Sequence, residues 1–251
     1  MTTAQEPVID VLRPIVSQGI GSVETVPVQG ARVRLRQVTT GPASIEGALD
    51  ESLAVPALIG LARQSEAEGA SAVVVDCMGD PGLDALREAV GIPVLGAGHT
   101  AMHMASLIGD SFTVLAVLPR LVSRFRIAAR THGLESSLAS VRSVDIPVLA
   151  LDGEQEELVA RRLAETGAAA VREDGAHVLV LGCTGMIGMT RRMERLLAGA
   201  GVEGVPVIDP VPLAVGVAQA LVRAGLSHSK RSHPDPELKP VVGYPFATTR
   251  G

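Results

Sequence analysis

The sequence predicts an α/β protein of two pseudo-symmetric parallel-sheet domains, with a site in the cleft between them. Three observations carry that expectation. A twelve-residue frame occurs twice without a gap, at Glu68–Gly79 and Asp174–Gly185, and it sets the chain's two cysteines, Cys77 and Cys183, at the same position. Short apolar runs alternate with helical patterns, the rhythm of a parallel sheet crossed by helices. Gly91-Ile-Pro-Val-Leu95 is answered by Gly204-Val-Pro-Val-Ile208, so the likeness extends past the cysteines.

Taken in order, Ala72–Val75 is a small and β-branched run ending at Asp76 and Cys77, hence a buried strand opening into a loop. Asp80 before Pro81 reads as an N-cap and first-turn pair for a helix over Pro81–Val90. A strand over Pro93–Leu95, a helix over Thr100–Ile108 and a strand over Phe112–Leu118 follow. The second copy supplies a strand at Val178–Leu181, a helix over Met186–Ala198 and a strand at Pro206–Ile208. Breaks at Gly96–Gly98 and Asp209–Pro212 predict a first domain of residues 1–97 and 209–226 and a second of residues 98–208. Residues 227–251, polar and rich in proline, predict a surface tail.

Composition bounds the function. Hydrophobic residues make up 47% of the 251, enough for an ordinary core, and no apolar run approaches a membrane span. Met1–Pro14 lacks the basic start and apolar stretch of a signal peptide, so a cytoplasmic protein is expected. A formal charge of −5, no basic tract and only three Phe and one Tyr exclude a nucleic-acid surface. The expected partners are a small-molecule substrate and further copies of the chain in a homo-oligomer, with no membrane. Two cysteines far apart in sequence lack zinc-ligand spacing, and a reducing compartment disfavours a disulfide; free thiols with no metal and no cofactor are expected. The glycines of the two cysteine loops, Gly79, Gly82, Gly185 and Gly188, form neither a Gly-x-Gly-x-x-Gly pattern nor the Lys-Ser/Thr ending of a P-loop.

Ligands of such folds gather outside the carboxyl ends of the strands, where both thiols fall. A helix start after Cys77 would favour its thiolate, below the reference pKa of about 8.5, and Asp76 would point to the opposite strand face. Thr184 and Gly185 offer a hydroxyl and amides to developing negative charge. A single cysteine is more often a small buried hydrophobe; a matched pair across a cleft suits removal of a proton from one face of a carbon and its return to the other. Asp80 and Asp84 read as a cap and a surface charge, and Glu46 and Glu51 as equally ordinary. His99, His103, His132 and His177 are scattered without ligand spacing, and only His99 begins a helix near the cleft.

The stretches Gly41-Pro-Ala-Ser-Ile-Glu-Gly47, Cys77-Met-Gly-Asp-Pro-Gly-Leu-Asp84, Ala101-Met-His-Met-Ala105 and Leu181-Gly-Cys-Thr-Gly-Met186 resemble the aspartate/glutamate/hydantoin racemase superfamily, nearest its hydantoin and allantoin branch. The resemblance implies a cofactor-independent two-base mechanism with Cys77 and Cys183 as the bases. On that footing the enzyme is a racemase or epimerase acting beside a carbonyl, in a hydantoin or related cyclic imide or amide. Met78, Gly79, Thr184 and Gly185 would supply amides to the enolate-like charge, and Ser44 and Ile45 would line the entrance. The chain departs from the family where Asn-Pro-Asn-Thr-Ser is usual, reading Arg13-Pro-Ile-Val-Ser17. It has Ala116 and Val117 in place of threonines, Met78 in place of an aromatic, and His99 in place of a glutamate. Loss of those hydrogen-bonding groups points to a different or less polar substrate. The alternatives are a cis-trans isomerase or another superfamily reaction through the same cysteines, and a non-catalytic metabolite-binding or redox-sensing protein.

Overall fold

The computed structural model describes residues 6–18, 29–151, 156–237 and 239. Two four-stranded, all-parallel sheets share one strand order. The first runs β2-β1-β3-β4, from β1 (Val8–Arg13), β2 (Arg32–Gln37), β3 (Ala72–Val75) and β4 (Val94–Gly96). The second runs β6-β5-β7-β8, from β5 (Phe112–Ala116), β6 (Leu138–Ser143), β7 (Val178–Leu181) and β8 (Val207–Ile208). The helices are α1 (Ala48–Ala67), α2 (Leu83–Ala89), α3 (Ala97–Ile108), α4 (Val122–Thr131), α5 (Glu156–Asp174), α6 (Thr190–Gly199) and α7 (Pro210–Arg223).

The strands that precede the cysteines, β3 and β7, are buried over all four of their residues. Parallel strands covered on both faces carry unbroken apolar runs, which is why these two segments show no alternation. In β3, Val73 and Val75 pack with Ala54, Leu58 and Ala62 of α1, while Ala72 and Val74 pack with Ala214, Val215 and Ala218 of α7. Successive side chains thus serve opposite layers.

The last helix of each half crosses to the other. α3, which follows β4, lies against β5 and β7 and adds Ala101, Met102 and Ala105 to their core. α7, which follows β8, lies against β1, β3 and β4, and the two helices pack together. The sequence breaks at Gly96–Gly98 and Asp209–Pro212 stand at the starts of these helices.

Several boundaries differ from expectation. Asp80 does not cap its own helix: α2 begins at Leu83 after Gly82, whose φ of +70° is left-handed. The Asp80 carboxylate instead accepts the backbone N–H groups of Gly98 (3.0 Å) and His99, capping α3 and letting that helix start at Ala97 rather than Thr100. In the second half Gly188, at φ +82°, interrupts the expected helix, leaving a 3₁₀ turn at Thr184–Met186 before α6.

The start of the expected tail is anchored. Ser227 Oγ donates to the Gly91 carbonyl (2.7 Å), and His228 Nε2 accepts the Val94 N–H (2.6 Å). Lys230 Nζ donates to the carbonyls of Arg87 (2.9 Å), Glu88 (3.3 Å) and Val90 (2.8 Å), closing the C-terminal end of α2. Residues 238 and 240–251 of that tail lie outside the described residues. An ammonium on a helix's last carbonyls offsets its dipole, so Lys230→Met is expected to lower the unfolding free energy by about 1 kcal/mol in a urea titration. An unchanged midpoint would remove the strap from the list of stabilising contacts.

Candidate active site

The loops that leave β3 and β7 are built alike. The carbonyl of Cys77 accepts the N–H of Asp80 and that of Cys183 accepts the N–H of Met186, each at 3.1 Å and each three residues on. Within each loop the amide two residues further along, Gly79 or Gly185, donates to the cysteine sulfur. Thr184 Oγ1 donates to the Asp76 carbonyl (3.3 Å), tying one loop to the other. In this structure its hydroxyl is directed to the other cysteine loop.

Glycines permit this closeness. A Cβ on Gly98 would fall 2.2 Å from the Met78 carbonyl oxygen, one on Gly96 2.3 Å from Asp80 Oδ1, and one on Gly182 2.5 Å from the Leu115 carbonyl oxygen. The capping acids are exchanged between halves. Asp80 reaches from the first cysteine loop to α3, whereas Asp209, at the start of α7, reaches back to the N–H of Gly188 (2.8 Å). Burial raises Asp80 to about 7 and Asp209 to about 6.

Cys77 and Cys183 line one cavity of about 100 Å³. Ile45, Met78, Gly79, Thr184 and Gly185 share its wall, and Ser44 does not. Among the positions where the chain departs from the superfamily, Arg13, Met78 and Val117 reach this wall, together with Pro14 and Ile15. Ala116 lies in the core, and His99 lines a second cavity that shares Met78, Gly79, Arg124 and Ala128 with the first.

The wall is not simply less polar. Arg13 Nε pairs with Asp76 Oδ2 (3.1 Å), both largely buried, and Arg124 pairs with Glu51. Asp76 therefore faces the cavity instead of turning away. There it opposes ionisation of Cys183. Glu46 and Glu51, read from sequence as ordinary, both join the halves. Glu46 pairs with Arg120 and accepts the Val148 N–H (3.1 Å), and Glu51 covers Gly79, where a Cβ would meet its carboxylate at 2.2 Å. Sequence offered no signal for these pairs, because their partners lie more than seventy residues away.

The expected Cys77 thiolate is also corrected. Burial pushes the Cys77 thiol well above its ordinary range and Cys183 up to about 12. The Gly79 and Gly185 amides pull the other way without prevailing. Glu51, Asp80 and Cys183 further disfavour charge on Cys77, as Asp76 and Glu46 do on Cys183. The helix start that was expected to help comes too late, because α2 begins six residues after Cys77 and is only seven residues long. Both shifts favour the thiol over the thiolate. A reaction that needs one thiolate gains about tenfold in the ionised form per pH unit below the thiol pKa. The value of kcat/KM is therefore expected to climb with a slope near one in log units from pH 7 to 9. A plateau below pH 8 would contradict the burial argument.

The histidines are less scattered than their spacing suggests. His99, His103 and His132 converge, with ring centroids 4.4 Å (99–103), 4.5 Å (99–132) and 5.8 Å (103–132) apart. No group of three or more His, Cys, Asp or Glu among the described residues is placed to hold a metal ion. His177 stands apart, 3.9 Å from Asp110. No described helix is long and apolar enough to cross a membrane.

The family model described as Asp/Glu/Hydantoin racemase matches residues 22–218. A hydantoin racemase of Rhizobium meliloti is 38% identical over 229 residues, covering 91% of this chain and 92% of the relative. One of Paenarthrobacter aurescens is 38% identical over 210 residues, covering 83% and 86%. Among solved structures, the allantoin racemase from Klebsiella pneumoniae superposes with a TM-score of 0.86 at 33% identity, over 96% of this chain and 100% of that one. With two matched cysteine loops on one cavity and two parallel sheets of identical order, the chain belongs to the Asp/Glu/hydantoin racemase family and is an isomerase of the racemase type.

Proposed function

We propose that the chain racemises a carbon beside a carbonyl in a five-substituted hydantoin or a related cyclic amide or imide, with Cys77 and Cys183 as opposed acid and base. The observation that supports this most directly is the arrangement of the thiols. They come from equivalent strand ends, share one small cavity, and each receives an amide from the residue two further on.

In the working form one sulfur is a thiolate and the other a thiol. The thiolate takes the proton from the stereocentre, and the electron pair moves into the adjacent carbonyl as an enolate. The opposite thiol returns its proton to the other face, the electron pair closes the new C–H bond, and the two sulfurs have exchanged roles. The backbone N–H groups of Met78 and Thr184, one beside each cysteine, are assigned to the enolate oxygen, where a well-placed donor is worth about 3 kcal/mol. The Gly79 and Gly185 amides favour whichever sulfur carries charge. Arg13–Asp76 and Arg124–Glu51 line the cavity as neutral pairs, which orient polar groups without adding net charge.

The test is racemisation of an enantiopure five-substituted hydantoin in D₂O, sampled early. A two-base enzyme gives inverted product carrying deuterium at the stereocentre while unreacted substrate remains largely protonated. Inversion without label, or a change only in double-bond geometry, would favour a thiol-adduct isomerase instead.

A further inference from the structure

A second cavity of about 500 Å³ adjoins the first, and the two share Met78, Gly79, Arg124 and Ala128. Small-molecule sites typically span roughly 300–1,000 Å³. The thiol cavity falls short of that alone, and the two together lie within it.

The second cavity gathers basic and protonatable groups from separate elements. Arg87 comes from α2, His99 from α3 and His132 from just beyond α4, with Arg124 of α4 at the seam. His103 stands beside His99. The acidic groups are largely committed elsewhere. Asp80 caps α3, Glu51 holds Arg124, and Asp84 is mostly in solvent with a long 3.4 Å approach to Arg87. With no ligand, burial, the neighbouring imidazoles and Arg87 hold His99 down to about 4, and burial, His103 and Arg87 lower His132. A bound anion would reverse that repulsion and recruit protons to both rings.

The geometry points to a subsite for an acidic arm of the substrate. The stereocentre lies between Cys77 and Cys183, and a short carboxylate-ended substituent on it extends past Met78 and Gly79 to Arg87, His99 and His132. This rests on the racemase reading above and narrows its substrate class to cyclic amides bearing a carboxyalkyl group. Falling pH strengthens the interaction twice over: a bound anion favours protonation of His99 and His132, and Asp80, held near 7, loses its charge.

The experiment compares enantiopure 5-(2-carboxyethyl)hydantoin with its 5-(2-carbamoylethyl) isostere, using the full chain and its H99Q/H132Q variant at pH 6.5 and 8.5. Calorimetry with both compounds and with free glutarate runs alongside. A charge-assisted contact supports a preference of about tenfold or more in kcat/KM for the carboxylate at pH 6.5, smaller at pH 8.5. In the variant the ratio is expected to fall towards one, chiefly through KM. Equal use of the two compounds, or a ratio unmoved by the variant, overturns the subsite. Histidine-dependent binding of glutarate without any carboxylate preference in turnover also overturns it, by assigning the cavity to a separate anion. If neither hydantoin is racemised, the proposed reaction fails on its own. In that case histidine-dependent binding of the carboxylate and not the amide supports the subsite, and its absence overturns it.

Discussion

Cys77→Ser and Cys183→Ser are each expected to lower racemisation by about 10³-fold or more, because positioned acid-base groups contribute roughly 10²–10⁴ and a serine hydroxyl is a far weaker acid than a thiol. The two variants should not be equivalent. Cys77→Ser leaves Cys183 able to take a proton from the enantiomer that faces it, and Cys183→Ser leaves the complementary exchange to Cys77. Each variant is therefore expected to wash solvent deuterium into one enantiomer of the substrate while failing to invert it, with opposite preferences. Proton NMR of each separate enantiomer in D₂O measures this. Racemisation within tenfold of the unmodified enzyme in both variants would end the two-base mechanism. The substitutions are close in volume, but both thiols pack against the core, so circular dichroism of each variant is measured beside its activity to separate loss of fold from loss of chemistry.

Gly98→Ala is expected to have the next largest effect, for a geometric reason. The added methyl group would lie 2.2 Å from the Met78 carbonyl oxygen, and a backbone atom cannot swing aside as a flexible side chain can. Relief requires the first cysteine loop to move away from α3, which displaces Cys77 relative to Cys183. Overpacking of this kind costs about 1–3 kcal/mol of stability. The catalytic loss should be disproportionate, about 10²-fold, since a displacement near one ångström at a reacting group can cost that much. Gly216→Ala in α7 is the matched control. Nothing lies within 4 Å of its added methyl, and alanine is the better helix former there. Circular dichroism and activity measured together separate the effects, and a Gly98→Ala enzyme with full activity would show that the loop position is not critical.

Legibility in the sequence followed burial. The bounds of β3 and β7 could be read to the residue, because strands covered on both faces leave continuous apolar runs. The edge strand β2, Arg32–Gln37, left no such trace: Arg34 and Arg36 alternate along it and pair with buried Asp10 of β1, Arg34 at 2.6 and 2.9 Å. A charged strand next to a strand holding a buried acid looks polar in sequence and becomes intelligible only once the two are paired. The same limit applies around the thiols. Their equivalence was written in the repeat, whereas their raised pKa values come from surroundings contributed by distant segments. Glu51 with Arg124, and His99 with His132, meet only through the fold, so no local spacing could announce them.

The exchange of α3 and α7 bears on how the chain is made. A polypeptide emerging from the ribosome has completed all eight described strands once Ile208 is out. Yet the layer formed by Ile9, Val11, Ala72 and Val74 is still bare, because its cover of Ala214, Val215 and Ala218 has not been translated. The half that is synthesised first is the half that is finished last. Premature termination before α7 would therefore release a chain whose earliest strands, not its latest, present apolar surface to water.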